Sequence, residues 1–497
     1  MSATCGAVDP IIGTPTRQTH GCVRGILMVL TWLAFPSHAG AQIIQPPVDL
    51  GVGAGAQAIN ASGQIVGYNI VSLSQFQAFS WTASTGSIPL GTLGGNSSVA
   101  VAVNAAGLVT GCATVASGAV HATVWDPPTG RITDLGTLGG DRSCADAIND
   151  DGYVVGYARR ADGHDHAVVW SPSGSITDLG TFGGNYSDAI AINSRGQVVG
   201  TATFPGEATQ HAYMWDPQTR QMTDLGVLGG PHSRSFAFAI NDSGQVAGES
   251  DVLPDGSGFH AFSWTKSGGL VDIGTLSGPS STANDINAAG MVVGYADVNG
   301  SHDHHHAFSW TAADGIKDLG TLGGLDSEAY GVNTKGQIAG FSAIANSTSF
   351  QGVVWSSAGI VQLGTLGGTN SQASAINDDG VAVGVSSTVN GNESVLWVAH
   401  NTPCVDSVTM SYAGGTLTLG FTVMASRPAS WSVWLAVPGP PQQTALLWSI
   451  PIPIVSPAVS ANWSAPGFPP IGQLYAITNL TSPEGYCTDW KLIDISR

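Results

Sequence analysis

Five histidines stand four residues ahead of a tryptophan: His121, His166, His211, His260 and His306, before Trp125, Trp170, Trp215, Trp264 and Trp310. In an extended strand, residues two and four apart share a face, so each imidazole points the same way as its indole. Imidazole can ligate a metal or carry a proton. A shared metal fails on distance, because Zn–N bonds are about 2 Å while equivalent positions on face-packed sheets lie about 10 Å apart. Gln77 and Gln351 hold the same position in two further units, where Gln keeps a hydrogen bond but ligates metals poorly. The expected role is a buried histidine bonded to a turn. His302-Asp303-His304-His305-His306 is denser, and such a tract can take up Zn, Ni or Cu adventitiously. His302, His304 and His305 are its metal candidates, against a plain solvated loop.

Carboxylates recur as well. Asp49, Asp134, Asp178, Asp224, Asp272 and Asp318 each precede Leu-Gly or Ile-Gly, with Pro89 and Gln362 as exceptions. They could ring a calcium ion, but each is expected to satisfy backbone amides of its own glycine turn. Asp150-Asp151 and Asp378-Asp379 sit at tight turns, where solvation accounts for them. The chain has no Gly-x-Ser-x-Gly, no His-Glu-x-x-His and no catalytic-cysteine context. Gly-Gly pairs such as Gly139-Gly140 open no helix and precede no lysine, so no nucleotide and no cofactor is expected. Glycosidase carboxylates come from distant loops and leave no local spacing. The expected function is therefore a non-catalytic binding or surface-interaction module, with an extracellular glycan-active hydrolase or lyase as the alternative and a structural envelope component as the second alternative.

These residues ride on a repeat, which has to be found before any local reading. Asn60, Asn104, Asn149, Asn193, Asn241, Asn287, Asn333 and Asn377 each have glycine three and seven residues later, and a tryptophan after that. One unit, read from Ser187, gives four short strands. Strand A is Ser187 to Ile192, and Asn193-Ser194-Arg195-Gly196 suits a type I turn. Strand B is Gln197 to Thr201, C is His211 to Trp215, and D is Gln221 to Leu225. Glycine weakens a strand unless another group packs close against it, and a neighbouring Trp ring is expected over Gly200. Four strands in about 45 residues match one blade of a β-propeller; a β-solenoid would have shorter rungs. Eight units predict eight four-stranded blades. Ile43 to Gly51 reads as a strand D with no A, B or C before it, and the eighth unit lacks a strand D. The N-terminal strand is thus expected to clasp the last blade and remove a free sheet edge.

The repeat resembles the HAF-repeat family of exported bacterial proteins. The matching residues are His260-Ala261-Phe262 and His306-Ala307-Phe308, with the Leu-Gly-Thr-Leu-Gly-Gly runs, over about residues 48–399. Units one, seven and eight depart from it, with Gln77, Gln351 and Glu393 in the histidine position. The resemblance implies an extracellular repeat protein and carries no catalytic assignment.

Residues 1–41 read as a secretory signal. Arg17 and Arg24 precede an apolar run from Gly25 to Phe35, and Ala39-Gly40-Ala41 offers cleavage before Gln42. The run is shorter than the roughly 20 residues of a membrane span, so no membrane insertion is expected. The expected location is secreted, periplasmic or cell surface. Formal net charge is −19, which opposes nucleic acid as a partner. Cys404 and Cys487 bracket a segment of different composition, 403–497, which reads as a disulfide-closed β-sandwich. Cys112 and Cys144 sit in adjacent repeats, at a strand end and a strand start, and a second pairing is open to them. Trp431, Trp434, Trp448, Trp463 and Trp490 in that segment suit a sandwich core better than a sugar platform.

The domain order is therefore signal 1–41, propeller 42–400 and sandwich 403–497. The A–B turns are nearly identical and the C–D turns short, whereas the B–C connections vary. In a meander blade, B–C and D–A connections emerge on the same face, and binding residues concentrate on such loops. Arg142, Arg159, Arg160, Tyr186 and His232 are the expected contacts for an extracellular ligand, a glycan or a protein.

Overall fold

The computed structural model describes residues 47–398, save 54, 73, 207–208, 254–257 and 301, and the backbone of seven strands between 405 and 494. The secretory-signal segment and Cys404 lie outside the described residues. Among the described residues no helix is long and apolar enough to cross a membrane.

The repeat forms eight four-stranded antiparallel sheets. Blade 4 is Ser187–Ile192, Val198–Thr203, Gln210–Asp216 and Gln221–Asp224, within two residues of the expected bounds. First strands of successive blades touch all the way round, and that of blade 1 touches that of blade 8. The architecture is thus a closed β-propeller with strand A innermost. The clasp is present: Val48–Gly53 pairs antiparallel with Asn392–Val398 as the outer strand of blade 8.

Local residue types dictate the unit. Asn193 Oδ1 accepts the N–H groups of Arg195 and Gln197 at 3.1 and 2.9 Å, and Gly196 takes φ +74°. An Asx-type turn therefore closes each A–B hairpin. Ser187 joins blades: its Oγ accepts Ala167 N–H of blade 3 at 2.9 Å and donates to Gly180 O at 2.6 Å. Ser143, Ser235, Ser281 and Ser327 repeat both bonds. Apolar clusters fill the seams. Val155, Ala167 and Val169 of blade 3 meet Ala189, Val198, Tyr213 and Trp215 of blade 4. Small alanines bring the sheets close, and each indole removes roughly 150–250 Å² from water.

The strand-B glycine has a different cause from the one expected. Strand A carries a bulge between Ala189 and Ala191, which turns the Asp188 carbonyl towards strand B. A Cβ on Gly200 would lie 2.1 Å from that oxygen. The equivalent carbonyl stands 1.9–2.1 Å from a Cβ on Gly67, Gly111, Gly156, Gly248, Gly294, Gly340 and Gly384. A tryptophan ring is among the nearest groups at Gly340 alone of these eight.

After the propeller, the described backbone forms two antiparallel sheets, as a β-rich segment should. One orders Val405–Ala413, Thr416–Met424 and Ala458–Pro466; the other orders Ile452–Ile454, Ala429–Ala436, Gln473–Ser482 and Gly485–Asp494.

Candidate functional site

The repeated histidines and aspartates answer each other. His166 Nδ1 lies 2.9 Å from Asp178 Oδ1, and Asp178 Oδ1 accepts Gly180 N–H at 2.8 Å. His121–Asp134, His211–Asp224, His260–Asp272 and His306–Asp318 repeat the pair. Each aspartate does serve its own glycine turn, as expected, and it also fixes the histidine of strand C. Within a unit the two lie 12 or 13 residues apart and meet only across strands C and D. Burial raises the Asp178 and Asp224 carboxyls, but the histidine bonds outweigh it and hold both below the usual range.

The histidine tract fans out. His302 Nδ1 faces Asp297 at 2.7 Å, His304 Nδ1 faces Asp326 at 3.1 Å, and His305 Nε2 faces Glu328 at 2.8 Å. Each imidazole goes to a different carboxylate. Among the described residues no group of three or more His, Cys, Asp or Glu is placed to hold a metal.

Of the five expected ligand contacts, the structure brings two together. Arg142 and Arg159 both bind Asp165, a buried carboxylate; Arg159 Nε donates to Oδ1 at 2.9 Å. Burial raises the Asp165 carboxyl, yet the two guanidinium groups outweigh it and keep it ionised. Tyr186, on the next blade, stands apart from that pair: its hydroxyl donates to Asp188 Oδ2 at 2.8 Å, and burial first and the Asp188 charge second raise it. Arg160 turns instead to exposed Asp162 at 3.4 Å, and His232 is exposed in the turn between blades 4 and 5.

Below this mouth, strand A builds the channel wall. Its alanines and serines are buried between blades, while the alternating residues are half-buried and face the ring axis. The period of two in a strand produces this division. The alternating positions are where the repeat stops repeating: Asp146, Asp188, Phe236, Phe238, Asn284, Glu328 and Tyr330 all stand there. Burial, and after it the Asp188 charge, push the Asp146 carboxyl up to about 8. Burial also raises Asp188, against bonds from Tyr186 and from Thr201 N–H at 3.0 Å. On blades 5 to 7, Glu249 accepts Thr282 Oγ1 at 2.8 Å, Asp285 accepts Val332 N–H at 2.9 Å, and Glu328 accepts Tyr330 hydroxyl at 2.7 Å. Burial raises the Glu249 and Asp285 carboxyls. The expectation of loop residues missed this wall. The available signal was an acid at a strand-A position that is apolar in other units.

A separate cleft of about 600 Å³ lies on the opposite, A–B turn side between blades 4 and 5, lined by Arg195, Gln197, Asp216, Ser243 and Lys266 among others. The Cys112–Cys144 disulfide staples blade 2 to blade 3, resolving the second pairing.

No family model and no curated protein matches the chain. Among solved structures it is similar to TolB from Acinetobacter baumannii, at 12% identity and TM-score 0.31, over 59% of this chain and 75% of that one. It is also similar to puromycin hydrolase, at 13% identity and TM-score 0.44, over 79% of this chain and 62% of that one.

Proposed function

We propose that this chain is an exported, non-catalytic binding module that holds a protein partner on the face built from its B–C and D–A connections. One observation carries the reading: large apolar side chains are exposed on that face. Val389 is 89% exposed and Val71 60%, joined by Ile70, Leu253 and Leu325. Ile70, Val71, Leu325 and Val389 belong to blades 1, 7 and 8, which are neighbours in the ring. Exposed aliphatic groups gathered on one face are what a partner surface offers. They suit a protein better than a glycan, whose rings stack on aromatics. The Arg142–Asp165–Arg159 group stands on the same face and supplies a polar rim of the kind such interfaces carry. Export is supported by the 1–41 segment, the HAF-repeat resemblance and a disulfide, which persists in oxidising compartments.

The test is binding to an extracellular-protein panel, comparing Val389→Asp, Ile70→Asp, Tyr186→Ala and Arg159→Ala with Ser62→Ala and Ser243→Ala in the A–B turns. Loss with the first four alone is expected. Loss only with the A–B changes would place the partner on the opposite face.

A glycan-active enzyme is the second reading, favoured by two acids on the innermost strands of adjacent blades, Asp146 and Asp188, where burial first and the Asp188 charge second raise the Asp146 carboxyl to about 8. Release of reducing ends from extracellular polysaccharide, abolished by Asp146→Asn, would establish it in place of the first.

A further inference from the structure

In blades 1 to 7 the outer strand follows its own blade in sequence; in blade 8 it arrives as Val48–Gly53. The register is nevertheless shared. Asp134 stands opposite Thr123, Asp178 opposite Val168, Asp224 opposite Tyr213, Asp272 opposite Phe262 and Asp318 opposite Phe308. Asp49 stands opposite Val395 in the same way. Two residues before each of those first five partners is a histidine, whose Nδ1 meets the aspartate at 2.9 Å. Blade 7 puts Gln351 and Gln362 there, 2.7 Å apart, and blade 1 has Gln77 and Pro89. In blade 8 the residue two before Val395 is Glu393. Among the described blades, the seam that closes the ring is thus the one where this cross-strand pair holds two like charges. It is also irregular, with a register shift between Asp49 and Gly53.

We propose that Glu393 and Asp49 make ring closure a proton-tightened latch: the seam repels itself when both carboxylates are ionised, and closes more firmly when one carries a proton. Like charges paired across strands destabilise a sheet. The groups facing Glu393 are Asp49 on the latch strand, Gly53 opposite it there and Ser386 opposite it on Val381–Ser387. Blade 1 presents Gly55, whose N–H donates to Ser394 Oγ at 3.0 Å. Asp49 is the one charge in this set. Burial, and after it the Asp49 charge, raise the Glu393 carboxyl above its ordinary 4.5. A raised value in the closed state means that protonation favours closure. The gain is complete below the open-state value and is lost as pH climbs through the closed-state value. The latch therefore loosens towards neutral pH, freeing the Asn392–Val398 edge, whose unpaired backbone is a template for another strand.

Hydrogen exchange of the full chain tests this at about pH 5 and about pH 7.5, after correction for intrinsic exchange chemistry. Amides of Val48–Gly53 and Asn392–Val398 are expected to open several-fold less often at the lower pH. The Phe350–Ser356 and Gly359–Gln362 pair of blade 7, whose side-chain bond is neutral, serves as reference. Glu393→Gln should give the acid level of protection at both pH values. Glu393→His should restore the histidine–aspartate pair and protect the seam at neutral pH. If Glu393→Gln disturbs folding, Asp49→Asn makes the same test from the other strand. Wild-type latch protection that follows the blade 7 reference at both pH values overturns the proposal. So does a Glu393→Gln or Asp49→Asn seam that opens as often as wild type at neutral pH.

Discussion

Asn377 and Asn60 are 317 residues apart, and the Asn377 side-chain amide donates to the Asn60 carbonyl at 3.2 Å. That bond closes a ring of eight. Asn60 donates to Asn104, Asn104 to Asn149, Asn149 to Asn193, and so on through Asn241, Asn287 and Asn333 to Asn377. Each asparagine thus does two jobs. Its Oδ1 shapes its own turn, and its Nδ2 ties that turn to the next blade. Asn377→Asp keeps the acceptor and removes the donor, leaving a carboxylate against a buried carbonyl. A loss of about 1–3 kcal/mol is expected, read as a lowered urea midpoint at unchanged m-value. Asn193→Asp, which breaks a ring bond between blades 4 and 5, should cost the same. An unaltered midpoint in both would show that the ring bonds contribute nothing net.

The glycines separate by cause, and blade 1 offers both kinds. At Gly63, φ is +78° and a Cβ would meet nothing within 4 Å. Gly63→Ala should therefore cost only the left-handed backbone penalty, about 1–2 kcal/mol. At Gly67 a Cβ would stand 1.9 Å from the Gly55 carbonyl. Gly67→Ala must shift a strand of the innermost layer, and the expected loss exceeds about 3 kcal/mol. Equal losses at the two positions, measured by chemical unfolding, would contradict the bulge explanation.

How much of this was legible follows from what repetition encodes. Eight copies of the Asn, Gly and Trp positions reveal strand number, turn type and the clasp, because each copy answers the same local constraint. The reason for Gly200 was not legible, since the Asp188 carbonyl reaches it only through a bulge that strand alternation does not announce. The pairing of His211 with Asp224 was hidden for a related reason: the two are 13 residues apart in sequence and adjacent only across strands C and D. The site was read from loops, where Arg142 and Arg159 did converge on Asp165. The channel acids escaped because one unit shows nothing odd. Asp146 and Asp188 stand out only when the same position is compared across blades.

Cys112 and Cys144 lie 32 residues apart and cross from strand B of blade 2 to strand A of blade 3. Both are buried. Closing a loop of that length stabilises the chain by about 3–4 kcal/mol in the loop-entropy account. Cys112→Ser with Cys144→Ser should lower stability on that scale, and non-reducing peptide mapping of the wild type should recover the two peptides linked. Free thiols on both in exported material would remove the staple and, with it, one support for an oxidising location.

The channel acids make a prediction about pH whose sign can be fixed. The Asp146 carboxyl is pushed from 3.8 up to about 8, by burial first and the Asp188 charge second. The folded protein therefore holds a proton that the unfolded chain has already released. The stability from this group is complete below 3.8 and is lost progressively as pH rises, gone once pH passes about 8. Within that window one retained proton gives a slope of about 1.4 kcal/mol per pH unit. Burial raises Asp188, Glu249 and Asp285 in the same direction, whereas the histidine-paired Asp178 and Asp224 are lowered and act in the opposite sense at acid pH. Asp146→Asn should accordingly flatten the fall in stability between about pH 5 and about pH 8 by close to one proton's slope. The measurement is chemical unfolding of wild type and variant at intervals across that range. Parallel curves would mean that Asp146 is ionised in the folded channel, and that some group of opposite charge reaches it there.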